Sequence, residues 1–440
     1  MSAALKVLFI ASDTEGCGYA RCRLPALGLS GLDGFEAKAT SRLAWDDLIH
    51  HDVLVWSRQH RRELVRYRKF ARGMGKLLVF DIDDHLHDLP SWSPASRAYP
   101  KGGPELRGLE EWMRSCDALT VSTEPLARAY GRVNRSVTVL PNSIDLAAWR
   151  PVPSVHRGVR VGWVGSPTHR KDLEVVRPAL LKLRRRFPDL TIVMMGYDGE
   201  FRKAGIPLEY HPFVSIDEYP SKLASLGLDV AVAPLSPHRF NTYKSNIKFL
   251  EYSALAVPCV ASPVEPYLMI RDGETGFLAG SEAEWIDKVG ALVEDAALRR
   301  RIGGAARELV AERFDVRRTA PRWGAFFRSL VAGHQGRPAP VAGAPLVAQM
   351  QLLRGLEAGQ AGRGPQALEH LRRAAEIDPL NATIRLLLAE LLAASGDASA
   401  SAEEALNAKD LAGGDATITE RARRVLERAT GIAAPGAAAR

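Results

Sequence analysis

Long apolar runs are missing from this 440-residue chain: none approaches the about 18 residues that cross a bilayer as a helix. The opening, MSAALKVLFIASD, has no basic segment before its short apolar run, which reads as a first strand and not as a signal peptide. Cysteine is scarce, at four residues (Cys17, Cys22, Cys116, Cys259), and no CxxC pair suggests a disulfide framework. A lopsided charge is missing too. The net +8 is spread as +3 over residues 1–150, +5 over 151–330 and zero over 331–440. That pattern does not suit a dedicated nucleic-acid binder. The expectation is a cytoplasmic protein without a nucleic-acid partner. What is present is ordinary globular composition: 46% hydrophobic, 25% charged and 7% aromatic residues. Length and composition together suit two to four domains.

Apolar runs alternate with amphipathic stretches along the first 330 residues. LKVLFIAS, DVLVWSR, KLLVFDID, DALTVST and VTVLPNS read as strands. After a proline-interrupted linker, Pro151 to Gly158, the pattern restarts with RVGWVGS, TIVMMG, DVAVAPL and PCVASP. Strands alternating with helices imply βαβ units and parallel sheets. The expected architecture is α/β: two tandem Rossmann-like domains, 1–150 and 151–333, facing across a cleft. Beyond the Pro/Gly/Ala-rich linker HQGRPAPVAGAP, residues 345–432 are rich in Ala, Leu, Arg and Glu and read as all-helical. There Ala367, Leu371, Ala374 and Pro379 fit one tetratricopeptide-like helix pair, a fold that builds grooves for peptides or proteins. A helical cap bracing the second domain is the other reading. The closing GIAAPGAAAR reads as a frayed tail. The basic run Arg58 to Lys76 reads as a solvated helix face, or as a patch for anionic head groups that would place the protein at the inner membrane face.

The segment Asn241 to Pro263, NTYKSNIKFLEYSALAVPCVASP, links two expected strands, so its middle should be a βαβ helix. Lys244, Lys248 and Glu251 then share one face, opposite Ile247, Leu250 and Ala254. The N-terminus of such a helix, at the carboxyl edge of a parallel sheet, attracts phosphate through free N–H groups and the helix dipole. Two lysines would add full charge there, and Glu251 would suit a ribose. An ordinary exposed Lys-Lys-Glu face has the same spacing.

KSNIKFLEYSALAVPCVAS followed by IRDGETGFLAG, Ile270 to Gly280, resembles the donor half of group 1 (family 4-like) retaining glycosyltransferases of the GT-B fold. LPNSIDLAAWRP (Leu140 to Pro151) and VGWVGSPTHRKDL (Val161 to Leu173) resemble further segments of that family. The resemblance covers about residues 5–330. It implies transfer of a sugar from a nucleoside diphosphate donor, a UDP- or GDP-sugar, to a hydroxyl of a glycan, lipid-linked or protein acceptor, with retention. It also implies that no metal or other cofactor is needed. Lys248 with Lys171 or Arg170 would neutralise the leaving diphosphate, Gly165 and Ser166 would approach the phosphates, and Glu251 would hold the ribose. In the family's Glu-x7-Glu pattern the first acid holds the sugar; here that position is Tyr243.

In the first domain SDTEGCGYARCRLP offers Gly16 and Gly18 as a phosphate-side glycine loop, with Arg21 either in the cleft or in a structural ion pair. VFDIDDHLHDLP, Val79 to Pro90, gathers Asp81, Asp83, Asp84, His85, His87 and Asp88 after a strand. Three readings compete. The residues form a metal site or a D-x-D nucleophile of a phosphohydrolase, they cap a helix, or Asp84 and His85 line the acceptor side of the cleft. A non-catalytic scaffold whose helical tail acts as an adaptor is the remaining alternative for the whole chain.

Overall fold

The computed structural model describes residues 4–61, 64–153, 156–203, 205–334 and 344–430. The expected 334–345 linker falls mostly outside these residues, the 431–440 tail wholly, and the 151–158 linker in part. All nine strands expected from apolar runs form. The first sheet contains β1 (Leu5–Ile10), β2 (Phe35–Thr40), β3 (Val53–Ser57), β4 (Leu77–Ile82), β5 (Ala118–Val121) and β6 (Val137–Val139) in the order β2-β1-β3-β4-β5-β6. The second contains β7 (Arg160–Val164), β8 (Thr191–Met195), β9 (Glu209–His211), β10 (Val230–Ala233), β11 (Cys259–Ala261) and β12 (Phe277–Leu278) in the order β12-β11-β10-β7-β8-β9. Every neighbouring pair in both sheets is parallel. Central strands such as VLVWS and VAVA are buried along their whole length, because helices cover both faces of a parallel sheet.

These are the two Rossmann-like domains that the alternation of strands and helices implied. The strands not anticipated, β2, β9 and β12, all lie at sheet edges and carry polar or few residues (FEAKAT, EYH, FL). An edge strand needs only partial burial, so it leaves a weaker apolar signature.

The chain returns to the first sheet after completing the second. The Ile144 N–H donates to the Phe314 carbonyl and the Val316 N–H to the Ile144 carbonyl, each at 2.9 Å. From there the helix Val316–His334 packs Trp323 and Phe327 against Phe9, with ring centroids 5.5 and 6.1 Å apart. Close approach requires Gly28, where an added Cβ would stand 2.8 Å from that of Ala320.

A buried ion pair fixes the same region. The helix after β1 widens into a π turn at Tyr19–Arg23, and Arg21 from this turn is wholly buried. Its Nε and Nη2 donate to the two carboxylate oxygens of Asp81 at 3.1 and 2.6 Å. Its Nη1 donates to the Leu140 carbonyl at 2.6 Å and to Asn142 Oδ1 at 3.0 Å. Thr120 also donates to Asp81, at 2.7 Å. Of the two roles read for Arg21, the structure holds the ion pair and not the cleft-facing one.

The helices Ala344–Gln360, Gly364–Ile377, Ala382–Ala394, Ala398–Leu411 and Ala416–Thr430 make up the tail. Leu371, Ala374, Ile384, Leu388 and Leu392 form part of its core, and Gly355 lets Leu371 come close. Asn381, Asp397 and Asp415 cap successive helices by accepting backbone N–H groups. This compact unit also includes Ala44–Ile49 and Arg66–Lys76. Tyr67, Arg68, Phe70 and Ala71 are buried, and the Tyr67 hydroxyl donates to Glu357. The basic run is therefore not one solvated face: its helix buries an apolar side, and Arg58 is more than four-fifths buried beside Cys17. Among the described residues no helix is long and apolar enough to cross a membrane.

The ion pair makes a stability prediction. Arg21→Met should destabilise the protein by about 3–5 kcal/mol in urea unfolding, because it strands a buried carboxylate. Arg21→Met with Asp81→Leu should recover much of that loss. Equal destabilisation in the single and double variants would contradict this account.

Candidate active site

A cavity of about 830 Å³ lies between the carboxyl edges of the two sheets. Loops that leave strands form much of its lining: Asp13–Cys17 after β1, Asp83 and Asp84 after β4, Gly165 and Ser166 after β7, Phe213–Ile216 after β9. Open α/β sheets bind ligands at such edges. Lys244, Lys248 and Glu251 line the second-domain side together.

Sequence placed those three on one helix, and the structure differs at its start. A 3-10 turn, Arg239–Tyr243, precedes the helix Ile247–Ala254, so Lys244 lies in extended backbone before the first turn. Lys244 and Lys248 nevertheless both reach the cavity, flanking the helix N-terminus. Ile247 also lines it, whereas Leu250 and Ala254 are buried in the core. Glu251 Oε2 accepts from the Tyr219 hydroxyl at 2.9 Å and from Lys248 Nζ at 3.1 Å. Both bonds fall on one oxygen, so Oε1 keeps its lone pairs for a ligand. Tyr219 is held edge-on by Trp149, with ring centroids 5.6 Å apart.

The Gly165–Ser166 loop is set by packing. The Val164 N–H donates to the Tyr252 hydroxyl at 3.0 Å, and a Cβ on Gly165 would strike the Trp163 ring at 2.3 Å. Across the cavity Gly16 is open, with nothing within 4 Å of an added Cβ, while Gly18 is a packing glycine. An added Cβ there would lie 2.0 Å from the Asp13 carbonyl, and its N–H donates to Asp13 Oδ1 at 3.0 Å. Gly18 does not line the cavity.

Arg170 and Lys171 do not line it either. They sit on the outer side of the helix Arg170–Arg186, with Arg170 3.7 Å from Glu200 and Lys171 2.8 Å from Glu174. Their neighbours face inward instead. His169 lines the cavity, and its Nδ1 lies 2.8 Å from Asp172 Oδ2. A carboxylate only accepts, so Nδ1 carries the proton and Nε2 keeps its lone pair. Asp172 Oδ1 takes the Ser236 N–H and hydroxyl and the Asn241 amide, at 2.8 to 2.9 Å. Burial, with Lys244 and Lys248 acting in the same direction, pushes His169 down to about 4. Burial alone would raise Asp172; His169, the Ser236 N–H and Lys244 turn the balance and lower it. The sequence signal for this pair was the His-x-x-Asp spacing inside THRKD.

Arg58, in left-handed backbone at φ 51°, donates to Cys17 Sγ at 2.7 Å and stands 3.6 and 4.0 Å from Asp83 and Asp84 of the first-domain wall. Cys17, Asp83 and Asp84 are close enough to share a metal, with ligand atoms within 4.8 Å of one another. The guanidinium already supplies a positive charge to all three, which fits a metal centre poorly. Asp81 is engaged with Arg21 beneath the floor, which removes the D-x-D nucleophile. The turn Leu86–Asp88 has no side-chain cap, so the helix-capping reading fails as well. Asp84 lines the cavity, but His85 does not: it stacks on Tyr243 at 4.2 Å outside it, and burial with His87 lowers it to about 4. Tyr243 is thus turned away from the cavity toward the first domain.

A pH prediction follows from the two histidines depressed to about 4. The free side chain titrates near 6.5 and the folded one at about 4, so as pH falls the unfolded state binds protons first. Stability present above pH 6.5 is then lost between about 6.5 and 4. In His169→Asn the urea midpoint should fall less steeply over this window. An unchanged slope would show that His169 is not held neutral.

Residues 158–295 match the family described as Glycosyl transferases group 1. No curated protein matches the chain. Its fold is similar to that of Anabaena HepE, solved in complex with UDP and glucose, at 15% identity and a TM-score of 0.54, covering 74% of this chain and 100% of HepE. HepE in complex with UDP-glucose gives 0.53 over the same shares. A glycosyltransferase from Rickettsia africae is similar at 12% identity and a TM-score of 0.50, over 75% of this chain and 99% of that one. The two domains thus have the GT-B arrangement, and the match to group 1 glycosyltransferases spans the loops and the helix that carry Gly165, His169, Lys244, Lys248 and Glu251.

Proposed function

We propose that the chain transfers a sugar from a nucleoside diphosphate-sugar to an acceptor hydroxyl, with retention of configuration. The observation that carries this reading is the convergence of Lys244, Lys248, Glu251 and an open helix N-terminus on the cleft. Lys244 and Lys248 neutralise the diphosphate as it departs, and the helix N-terminus supplies N–H donors to it. Glu251, braced by Tyr219, holds the ribose. The segment bearing these groups is the one that matches group 1 glycosyltransferases, and the similar HepE was solved with UDP-glucose.

As the diphosphate leaves, positive charge develops on the sugar ring. The departing oxygen takes the proton of the acceptor hydroxyl, which attacks from the same face. No protein nucleophile takes part. Neutral His169 presents Nε2 as an acceptor to a sugar hydroxyl, and Asp83 and Asp84 face the acceptor from the first domain. Two lysines provide the charge that a divalent ion supplies in other transferases, so no metal is required. Glycan, lipid-linked and protein acceptors all suit this chemistry, and on this reading the helical tail acts on acceptor choice, not on donor binding. The protein acts in the cytoplasm on this reading.

Hydrolysis of UDP- and GDP-sugars in the absence of acceptor tests the proposal. Lys248→Ala and Glu251→Ala should each lower kcat/KM about tenfold to a hundredfold, the loss of one charge-assisted hydrogen bond. Circular dichroism should remain native. EDTA should leave the wild-type rate unchanged. Near-normal turnover in both variants would remove the donor site, and Mn²⁺-dependent recovery after EDTA would restore the Cys17–Asp83–Asp84 group as a metal centre.

A further inference from the structure

A second cavity, of about 360 Å³, adjoins the first and is lined by His85, Arg128, Arg132, Arg239, Tyr243 and Glu265 among others. No residue lines both cavities, but neighbours in the chain do. In each of two segments consecutive residues divide between them: Asp84 and Lys244 line the larger cavity, His85 and Tyr243 the smaller. The His85 and Tyr243 rings stack at 4.2 Å, so the smaller cavity begins next in the chain to Asp84 and Lys244 of the larger one.

Charge gives this cavity its character. Arg128 lies on the helix Glu124–Tyr130, Arg132 two residues past its end, and Arg239 comes from the second domain. All three are exposed. Among the described residues neither the Arg128 nor the Arg132 side chain has a hydrogen bond or ion pair. Arg239 donates to the Tyr243 hydroxyl at 3.1 Å and stands 3.4 Å from Asp88. Against three guanidiniums the lining offers one carboxylate, Glu265. Like charges gathered in this way repel, and of the three guanidiniums only Arg239 is paired among the described residues, with Asp88. Guanidinium groups bind phosphate and carboxylate through paired N–H donors.

We propose that this cavity holds an anionic group of the acceptor, a phosphate or a carboxylate, so that a charged acceptor is preferred to a neutral one. The inference rests on the glycosyl-transfer reading for the word acceptor, and on geometry and charge for the binding. It gives the partitioned cleft a division of work: the lysine-lined cavity takes the donor diphosphate and the arginine-lined one takes the acceptor's charge.

Calorimetric titration of the full chain with UDP at saturation tests it, since UDP blocks the lysines as a second anion site. Glucose 6-phosphate, glucuronate and glucose are the probes, and the first two distinguish phosphate from carboxylate. At least one charged sugar should bind tenfold or more tighter than glucose. Arg128→Gln with Arg132→Gln should abolish that preference and leave UDP affinity unchanged. Equal binding of all three sugars, or a preference that survives the double variant, would overturn the proposal. Failure of UDP itself to bind would instead overturn the donor reading, and the same comparison of variants without UDP would still decide the anion site.

Discussion

A guanidinium cut off from water sets the geometry of this protein. Removing Arg21 and Asp81 from solvent carries a penalty of several kcal/mol per ion, which only a fully satisfied geometry offsets. Here the π turn aims Arg21 at Asp81, the Leu140 carbonyl and Asn142, so the end of β4 and the exit from β6 are held to the first helix. The Asn142 amide then donates to Ser245 Oγ at 2.9 Å. Ser245 stands between Lys244 and Lys248, just before the helix that carries Glu251. One chain of hydrogen bonds thus runs from the floor of the first sheet to the lysines of the second domain. Thr123, which donates to the Tyr243 carbonyl at 3.0 Å, adds a second tie to the same segment.

The cleft built on this frame is electrically divided. Asp13, Asp83 and Asp84 lie on the first-domain wall with Arg58 beside the last two, and Lys244 and Lys248 lie opposite. Those lysines also help keep His169 uncharged, so the site offers a neutral imidazole acceptor close to two cations. On the proposed function this separation is what a displacement needs. Negative charge builds on the diphosphate beside the lysines, and the acceptor hydroxyl approaches from the acidic wall.

Much of the architecture was legible in the sequence because buried parallel strands are nearly continuous apolar runs. Three of the four edge strands escaped, since β2, β9 and β12 need no such run. The site was legible where a motif fixes the backbone: Gly165, Ser166, Lys244, Lys248 and Glu251 all reach the cavity. It was not legible where side-chain direction matters. In THRKD the spacing does not say which neighbours turn inward, and packing of Leu173 and Asp172 sends Arg170 and Lys171 outward. Arg21 and Gly18 sit in a segment whose sequence looks suited to phosphate, yet their partners, Asp81 and Asp13, are reached only through the fold. The turn Asp272–Gly276 is structural: Asp272 accepts the Leu278 N–H at 2.8 Å and pairs with Lys288 at 3.1 Å.

The central claim is that a nucleoside diphosphate lies across the cleft with its phosphates at the N-terminus of the helix Ile247–Ala254. A crystal structure of the complex with UDP tests this most directly. The account predicts phosphate oxygens within hydrogen-bond distance of Lys248 and the backbone N–H groups that follow Lys244, with the ribose hydroxyls on Glu251. UDP bound elsewhere, or with its ribose and phosphates clear of Glu251 and Lys248, would contradict it.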